Sequence, residues 1–242
     1  MSALLQVENV IHTFGATRAV DDVSFAVQPG ELVGLIGPNG AGKSTLFNLI
    51  AGVMPPSRGR IVVNGADVTG WKPYEMARAG VARTFQIPKP YRQLSVIENV
   101  MISAFLQEPT VVAAHELADV TLTDLGLAPY RDRLAGELTV GLLKRLEVAR
   151  ALAMRPKLVL FDEIMAGLTP TEVGAMTEVV ARLPERGITV IWVEHVLYAI
   201  MRTATRMVVI NRGSVIAEGA PAAVARDPAV VKAYLGEEIE LA

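Results

Sequence analysis

The feature that most constrains this chain is a glycine-rich segment that matches the pattern G-x-x-x-x-G-K-S/T in full. It reads Gly37-Pro38-Asn39-Gly40-Ala41-Gly42-Lys43-Ser44, between an apolar run typical of a strand (32–36) and a helical pattern (44–51). Glycines let the main chain curl so that its N–H groups surround phosphate oxygens, while Lys43 adds positive charge and the Ser44 hydroxyl can coordinate Mg²⁺. A glycine-rich turn with a surface lysine is the alternative. The full match between a strand and a helix favours a phosphate-binding loop.

Short apolar runs alternate with helical patterns along most of the chain, as in βαβ units around a mostly parallel sheet. Further strands are predicted at 158–161, 188–193 and 207–210, and capping boxes at 95–98 and 169–172 predict two helix starts. Residues 22–27 instead alternate between polar and apolar, as half-buried antiparallel strands do. We therefore predict an α/β fold in one domain, 1–242, with a mostly parallel core sheet, an N-terminal antiparallel β subdomain and an inserted helical subdomain at about 88–137.

The composition excludes several classes of protein. The chain has 23 Lys and Arg against 25 Asp and Glu, and its net charge of −2 predicts no nucleic-acid partner. It has no cysteine, which excludes disulfides and cysteine metal sites. Apolar residues make up 51% of the chain, yet every apolar run is interrupted before the roughly 20 residues of a membrane span. The apolar excess predicts a large buried sheet, subunit interfaces or both, and the N-terminus has no signal-peptide pattern.

Two acids and one histidine follow predicted strands. Asp162 and Glu163 come at the end of one apolar run, where a parallel sheet places a strand tip beside the phosphate-binding loop. There one carboxylate can hold Mg²⁺ through water, and the other can polarise an attacking water as general base. The alternative is a pair of acids that keeps a strand end soluble. His195 follows another strand; a lone histidine is more often structural, as we expect for His12 and His115.

In this order the motifs resemble those of the ATP-binding cassette (ABC) family over essentially the whole chain. The matching residues are Phe14, in a predicted turn, for the A-loop aromatic, 37–45 for Walker A, Gln86 for the Q-loop, 138–142 for the signature, Asp162 and Glu163 for Walker B and the catalytic glutamate, and His195 for the switch histidine. The resemblance implies a P-loop NTPase core that binds ATP with Mg²⁺ and hydrolyses ATP.

The resemblance also implies a role for each site residue. The implied catalytic residues are Glu163, His195 and Gln86, and the implied Mg²⁺ ligands are Ser44, Gln86 and Asp162. The implied ATP contacts are Phe14, Gly37, Pro38, Asn39, Gly40, Ala41, Gly42, Lys43, Ser44, Thr45, Thr139 and Gly141.

Partners and a location follow from the same resemblance. Two ATPase subunits, either two copies or this chain and a sister chain, would pair head to tail, each ATP lying between the Walker A loop of one and the signature of the other. Gln86 would link the nucleotide to the helical subdomain, whose groove at 86–94 would dock a cytoplasmic helix of an integral-membrane permease subunit. The protein would be cytoplasmic, peripheral on the inner face of the cell membrane, and would serve a periplasmic binding protein indirectly.

Within the family, the chain is most similar to the ATPases of branched-chain amino-acid importers. The closer match lies at 83–86, 166–172, 193–195, 215–219 and 233–236. Alternatives within the family are ATPases for urea, lipid or lipopolysaccharide. Outside transport, a soluble P-loop phosphotransferase would need neither a signature nor a Q-loop, and non-transport cassette proteins usually join two cassettes in one chain.

The chain departs from the family pattern mainly in the signature. Thr139, Val140 and Leu142 stand where Ser, Gly and Gln are usual, although Thr139 keeps a hydroxyl and Gly141 keeps an open main chain for phosphate contact. Ile164 replaces the common Pro after Walker B, and Thr169 stands where the D-loop Asp often lies. A helix start supplies oriented N–H donors whatever its side chains are, so the resemblance still implies an ATP contact here.

Overall fold

A computed structural model describes residues 2–235, and Gly236, the last residue of the tail match above, lies outside them. In chain order the elements are β1 (Leu5–Phe14), β2 (Thr17–Val27), β3 (Leu32–Ile36), α1 (Lys43–Ile50), β4 (Arg58–Val63), β5 (Ala66–Asp67), α2 (Pro73–Arg78), β6 (Val81–Arg83), α3 (Val96–Ala104), α4 (Val111–Asp124), α5 (Val140–Ala153), β7 (Leu158–Asp162), α6 (Pro170–Ala181), β8 (Thr189–Val193), α7 (Leu197–Thr203), β9 (Arg206–Asn211), β10 (Ser214–Gly219), α8 (Pro221–Val224) and α9 (Pro228–Leu235).

The strands form two sheets, as the two kinds of apolar pattern predict. The N-terminal sheet has four strands in the order β2-β1-β4-β5, all paired antiparallel. The core sheet has six strands in the order β10-β9-β3-β8-β7-β6. All its neighbours pair in parallel except the edge strand β10, which pairs antiparallel with β9. The α/β fold class with a mostly parallel core sheet is thus confirmed.

The inner strands are mostly apolar because their side chains alternate between two cores, one on each face of the sheet. On one face, Leu32, Phe161 and Trp192 pack with residues from α3 to α7. On the other face, Leu35, Leu160 and Ile191 pack with α1 and with the N-terminal sheet. Much of the apolar excess is therefore buried on both sides of the core sheet.

Three helices pack together beside the core sheet, where the sequence predicts an inserted helical subdomain. Helices α3 and α4 lie within the predicted range and contact each other. Ser95 caps α3 with the predicted capping box, which Glu98 completes. The third helix, α5, packs on both but begins at Val140, beyond the predicted boundary, and also contacts β6 of the core sheet. The division into a core and an inserted subdomain remains a prediction.

The parallel arrangement brings the chemistry-bearing residues to one edge of the sheet, because parallel strands end at the same side. Strand β3 leads into Gly37, β7 ends at Asp162, and β8 is followed by Glu194 and His195. One strand over, β6 leads toward Gln86. Within residues 2–235, none of the helices is both long enough and apolar enough to cross a membrane.

Candidate active site

The phosphate-binding loop joins β3 to α1 and lies against neighbouring strands so closely that it needs glycine. A Cβ on Gly42, whose φ is +105°, would stand 2.3 Å from the carbonyl oxygen of Ala19. A Cβ on Gly37 would stand 2.0 Å from the carbonyl oxygen of Ile210. No side chain fits at either position, so the glycines of the motif are explained by the packing of the loop on β2 and β9.

The start of α1 has the features of an anion-binding site. Its N-cap, Gly42, has no side chain to accept from the first helical N–H groups, which leaves them available to bind an anion. Lys43 is buried, and its ammonium donates to the carbonyl oxygens of Gly37 at 2.7 Å and Pro38 at 2.9 Å. Burial lowers the pKa of Lys43, an effect that the carboxylates of Glu163 and Asp162 oppose. A phosphate group would satisfy both the helix start and the lysine.

A cleft of about 210 Å³ opens above this loop. Its lining combines the loop with one residue of β2 and with two residues that follow β7 and β8: Ala19, Asn39, Gly40, Ala41, Gly42, Lys43, Ser44, Thr45, Glu163 and His195. The structure therefore brings residues 39–45 of the predicted phosphate loop and two of the predicted catalytic residues, Glu163 and His195, into one polar cavity that is open to solvent.

Glu163 lies at the centre of a row of three side chains. One carboxylate oxygen, Oε1, is 3.0 Å from Nε2 of His195, and the other, Oε2, accepts a hydrogen bond from Nε2 of Gln86 at 2.5 Å. Glu163 has a left-handed main chain, with φ at +49°, and its N–H donates to Val193 at 2.9 Å. This conformation is uncommon for a residue with a side chain and is typical of functional sites.

Asp162, the last residue of β7, is buried and paired. Its carboxylate accepts from the guanidinium of Arg83 at 2.9 Å, and its N–H donates to the hydroxyl of Thr84 at 3.2 Å. Arg83 also donates to Asn48 of α1, so it joins β6, β7 and α1 at the edge of the cleft. Sequence reasoning used Arg83 only as a family marker, because nothing in a single sequence shows that its charge is buried against Asp162.

The most important residue that sequence reasoning missed is Lys144, which is buried in α5. Its ammonium donates to the carbonyl oxygens of Gln86 and, at 2.9 Å, of Glu163. Burial lowers the pKa of Lys144, while the carboxylates of Glu194 and Glu163 are the strongest of four that oppose the shift. In the sequence it stands beside Arg145 and resembles an ordinary solvated cation, so no signal predicted its burial.

A second missed residue, the acid Glu194, supports the segment after Glu163. It is buried, and its carboxylate accepts from the N–H of Met165 at 2.7 Å. Burial raises the pKa of Glu194, an effect that the Met165 hydrogen bond opposes. Its position between an apolar strand and His195 could have predicted a role for it, because an acid next to a buried strand must be either paired or exposed.

Five predicted ATP contacts are not among the residues that line the cleft: Gly37 and Pro38, at the start of the loop, and Phe14, Thr139 and Gly141, in other elements. Phe14 is not in a turn but is the last residue of β1, paired with Thr17, because the hairpin extends to its tip. Its ring is half-exposed, edge-on to His12 with ring centroids 4.7 Å apart. Thr139 and Gly141 are the N-cap and the second residue of α5, and the Thr139 hydroxyl accepts from the N–H of Leu142 at 3.4 Å.

The expectation of an open main chain at Gly141 is wrong in this chain. A Cβ there would stand 2.0 Å from Oε1 of Glu172, so Glu172 covers the residue. Glu172 is held in this place by the capping box of α6, in which it accepts from the N–H and hydroxyl of Thr169. A side chain at position 141 would therefore disturb its own subunit before it reached any partner.

Comparison with known proteins identifies the family. Residues 20–166 match the family model described as "ABC transporter". The chain belongs to the ABC transporter ATPase family. A second model, "Branched-chain amino acid ATP-binding cassette transporter", matches residues 214–240. As an ABC transporter ATPase, the chain binds ATP and hydrolyses it to power transport, which confirms the predicted activity.

Curated relatives cover almost the whole ABC ATPase chain. The high-affinity branched-chain amino acid transport ATP-binding protein BraF of Pseudomonas aeruginosa is 35% identical over 97% of this chain and 98% of its own. LivG of Escherichia coli K12, which carries the same description, has the same values. The lipopolysaccharide export system ATP-binding protein LptB of Haemophilus influenzae is 33% identical over 99% of this chain and 100% of its own.

Solved structures agree with this fold. A nucleotide-free ATP-binding cassette from an ABC transporter superimposes with a TM-score of 0.88 at 34% identity, covering 98% of this chain and all of that one. A cassette in its ADP conformation gives a TM-score of 0.86, also at 34% identity and with the same coverage. The ABC ATPase fold is therefore shared from the N-terminal sheet to the C-terminal helices.

Proposed function

We propose that Glu163 is the general base of ATP hydrolysis. Its carboxylate would take a proton from the attacking water while the water oxygen bonds to the γ-phosphorus and the bond to the β–γ bridging oxygen breaks, giving ADP and phosphate. The observation that carries this assignment is the row Gln86–Glu163–His195 at the cleft above Lys43. Both carboxylate oxygens are engaged by these neighbours, so we expect a water to replace one of them when ATP is bound.

Mg²⁺ fits the residues at this edge of the sheet. The Ser44 hydroxyl, the Asp162 carboxylate and the Gln86 amide oxygen form an all-oxygen donor set, which Mg²⁺ prefers when phosphate oxygens complete its shell. The amide nitrogen of Gln86 is engaged with Glu163, so the metal would take the amide oxygen. When bound, Mg²⁺ would neutralise charge on the β- and γ-phosphates. Lys43, which lines the same cleft, would supply further positive charge to the phosphates.

The ATP site needs a second surface, which we propose comes from another ATPase subunit, either a second copy or a sister chain. Asn39 and Gly40 are exposed on the open side of the cleft, and Val140 at the start of α5 is exposed as well. Because Glu172 covers Gly141, the contact to the γ-phosphate would come from the Thr139 hydroxyl and the first N–H groups of α5. The exposed ring of Phe14 would stack on the adenine.

We further propose that the chain drives the import of branched-chain amino acids. The match of residues 214–240 to the branched-chain amino acid cassette model carries this proposal, and the relatives BraF and LivG support it. The subunit would act at the inner face of the cell membrane with two permease subunits and, indirectly, a periplasmic binding protein. Lipopolysaccharide export is the second candidate, because LptB is 33% identical over nearly the same length.

The transported solute is tested by purifying the intact complex through a tag on this chain and reconstituting it in liposomes. ATP hydrolysis is then measured with leucine, isoleucine or valine supplied with the co-purifying binding protein, and separately with lipopolysaccharide. We expect several-fold stimulation by the branched-chain amino acids. Stimulation by lipopolysaccharide with no response to any amino acid would favour the second candidate.

A surface beside Gln86 is suited to dock the permease. Ile87 is 74% exposed, and Phe85 and Tyr91 of the same segment have half-exposed rings. Lys89 lies over the Phe85 ring at 5.3 Å, and Arg150 lies over the Tyr91 ring at 5.2 Å. An apolar centre with a basic rim is typical of a protein interface. A permease helix that seats on Ile87 would move the segment that carries Gln86.

We predict that Ile87→Glu uncouples transport from hydrolysis. When the permease docks, the new carboxylate would be buried without a partner, which weakens the interface. The cleft of the isolated subunit stays intact. Solute uptake by the reconstituted complex should fall at least tenfold, with the ATPase rate of the isolated subunit within twofold of wild type. Val112→Glu is the control, because Val112 is 69% exposed on α4 and outside this surface. Equal loss of uptake in both variants would contradict the proposal.

A further inference from the structure

Lys144 makes an unusual connection for a residue with no part in the phosphate loop. It lies in the second turn of α5 and is only 2% exposed. Its ammonium donates to the main-chain carbonyls of Gln86 and Glu163. Burying an ammonium group is unfavourable unless it is well hydrogen-bonded, so these two contacts must be retained for the lysine to stay where it is. They join three separate parts of the chain: α5, the segment after β6 and the end of β7.

The same two residues also meet through their side chains, because Nε2 of Gln86 donates to Oε2 of Glu163. Gln86 and Glu163 are therefore held together twice, once directly and once through Lys144. The second contact matters for Glu163, whose left-handed main chain must be held by its surroundings. Its N–H is fixed by Val193 and its carbonyl by Lys144, so hydrogen bonds constrain the peptide groups on both sides of the residue.

Helix α5 makes a second contact of this kind six residues later. Arg150 donates to the carbonyl oxygen of Lys89 at 2.8 Å and to the carboxylate of Glu147 at 3.1 Å. Helix α5 thus holds the segment 86–89 at two points. Of Lys144 and Arg150, only Lys144 donates to both Gln86 and Glu163. A displacement of α5 would therefore be transmitted to these two residues through Lys144.

We propose that Lys144 is a positioning residue for ATP hydrolysis. It fixes the main chain of Gln86 relative to that of Glu163, so that the Glu163 carboxylate is aimed at the attacking water, and it links this alignment to α5. The inference rests on the proposed role of Glu163 as general base. A residue of this kind acts on the chemical step and leaves the phosphate loop, and hence ATP affinity, unchanged.

The test compares Lys144→Met, which keeps most of the aliphatic stem and removes the donors, with Lys144→Arg, which keeps donors and charge. Misalignment of a catalytic group by about 1 Å can cost on the order of 10²-fold in rate. We expect kcat to fall about 10–100-fold in Lys144→Met with KM for ATP within twofold, and Lys144→Arg to restore kcat to within about fivefold of wild type. Lys157→Met is the control, because Lys157 is exposed at the opposite end of β7.

Loss of the lysine leaves the buried Glu147 and Glu194 with less positive charge, so folding must be separated from catalysis. Rates are therefore expressed per molecule that binds a fluorescent ATP analogue, and the double variant Lys144→Met/Glu147→Gln removes one buried acid together with the lysine. We expect the double variant to bind the analogue normally and to remain slow.

The proposal is wrong if kcat per ATP-binding molecule stays within threefold of wild type in Lys144→Met or in Lys144→Met/Glu147→Gln, or if Lys144→Arg is as slow as Lys144→Met. If neither Lys144→Met nor Lys144→Met/Glu147→Gln yields molecules that bind the ATP analogue, the lysine has a role in folding alone. That result would also overturn the proposal. Glu163→Gln, measured in the same assay, tests the general base separately. Normal hydrolysis in that variant would disprove the proposed role of Glu163 whatever the lysine variants show.

Discussion

Replacing Lys43 by alanine should abolish ATP hydrolysis and lower ATP affinity by about 10²-fold or more. The ammonium lies on the carbonyls of Gly37 and Pro38 at the start of α1, and it provides a fixed positive charge in the phosphate loop. Charge-assisted hydrogen bonds to phosphate are among the strongest that a protein makes, about 1.5–3 kcal/mol each, and the lysine offers more than one. No other basic residue lines the cleft in the described part of the chain except the half-exposed His195.

Affinity is measured by calorimetric titration with ATP and the rate by phosphate release. Lys157→Ala is the matched control, because it removes the same charge from an exposed position at the far end of β7. The control should bind and hydrolyse ATP like the wild type. Near-normal ATPase activity in Lys43→Ala would show that the phosphates bind elsewhere.

Replacing Glu163 by glutamine should slow hydrolysis by roughly 10²–10⁴-fold while ATP binding survives, as expected when a general base is lost. Glutamine has the same shape, and its amide oxygen can still accept from Gln86. The substitution therefore removes the proton acceptor and leaves the geometry of the row intact. ATP that is bound but not cleaved should keep two subunits together, so we also expect a dimer on a sizing column with Mg-ATP.

The control for this variant is Glu178→Gln, which changes an exposed acid on α6. It should hydrolyse ATP at the wild-type rate, and with Mg-ATP it should form no more dimer than the wild type does. A Glu163→Gln variant that stays monomeric while binding ATP would contradict the proposed pairing. One that hydrolyses ATP normally would contradict the proposed base.

Much of the fold could be predicted because its signals are local. The runs that become β3, β7 and β8 are almost entirely apolar, since their side chains are buried on both faces. The capping boxes at Ser95 and Thr169 predicted helix starts that the structure reproduces to the residue. The phosphate loop was equally clear, because its glycines are required by contacts that only glycine permits.

The contacts that the sequence could not predict are those between distant segments. Lys144 and Arg145 look alike in the sequence, and only the packing of α5 on the Q-loop segment shows that the first is buried. Glu172 was correctly predicted to complete a capping box, yet its position over Gly141 depends on how α6 meets α5. The sequence predicted each motif, and tertiary packing decided which motif residues touch.

The measurement that tests the central claim most directly is a cross-link between the two halves of the proposed ATP site. The natural chain has no cysteine, so single cysteines can be introduced at Asn39 in the phosphate loop and at Val140 in the first turn of α5. Both positions are exposed, and both variants would carry Glu163→Gln to retain ATP. Equal amounts of Asn39→Cys and Val140→Cys chains are mixed with a short bifunctional maleimide, with and without Mg-ATP.

Head-to-tail pairing predicts a cross-linked dimer that contains one chain of each kind, forms only with Mg-ATP, and is absent when either variant is treated alone. ATP-bound dimers that never join Asn39→Cys to Val140→Cys would contradict it. That result would show that the ATP site is closed by a surface other than the start of α5.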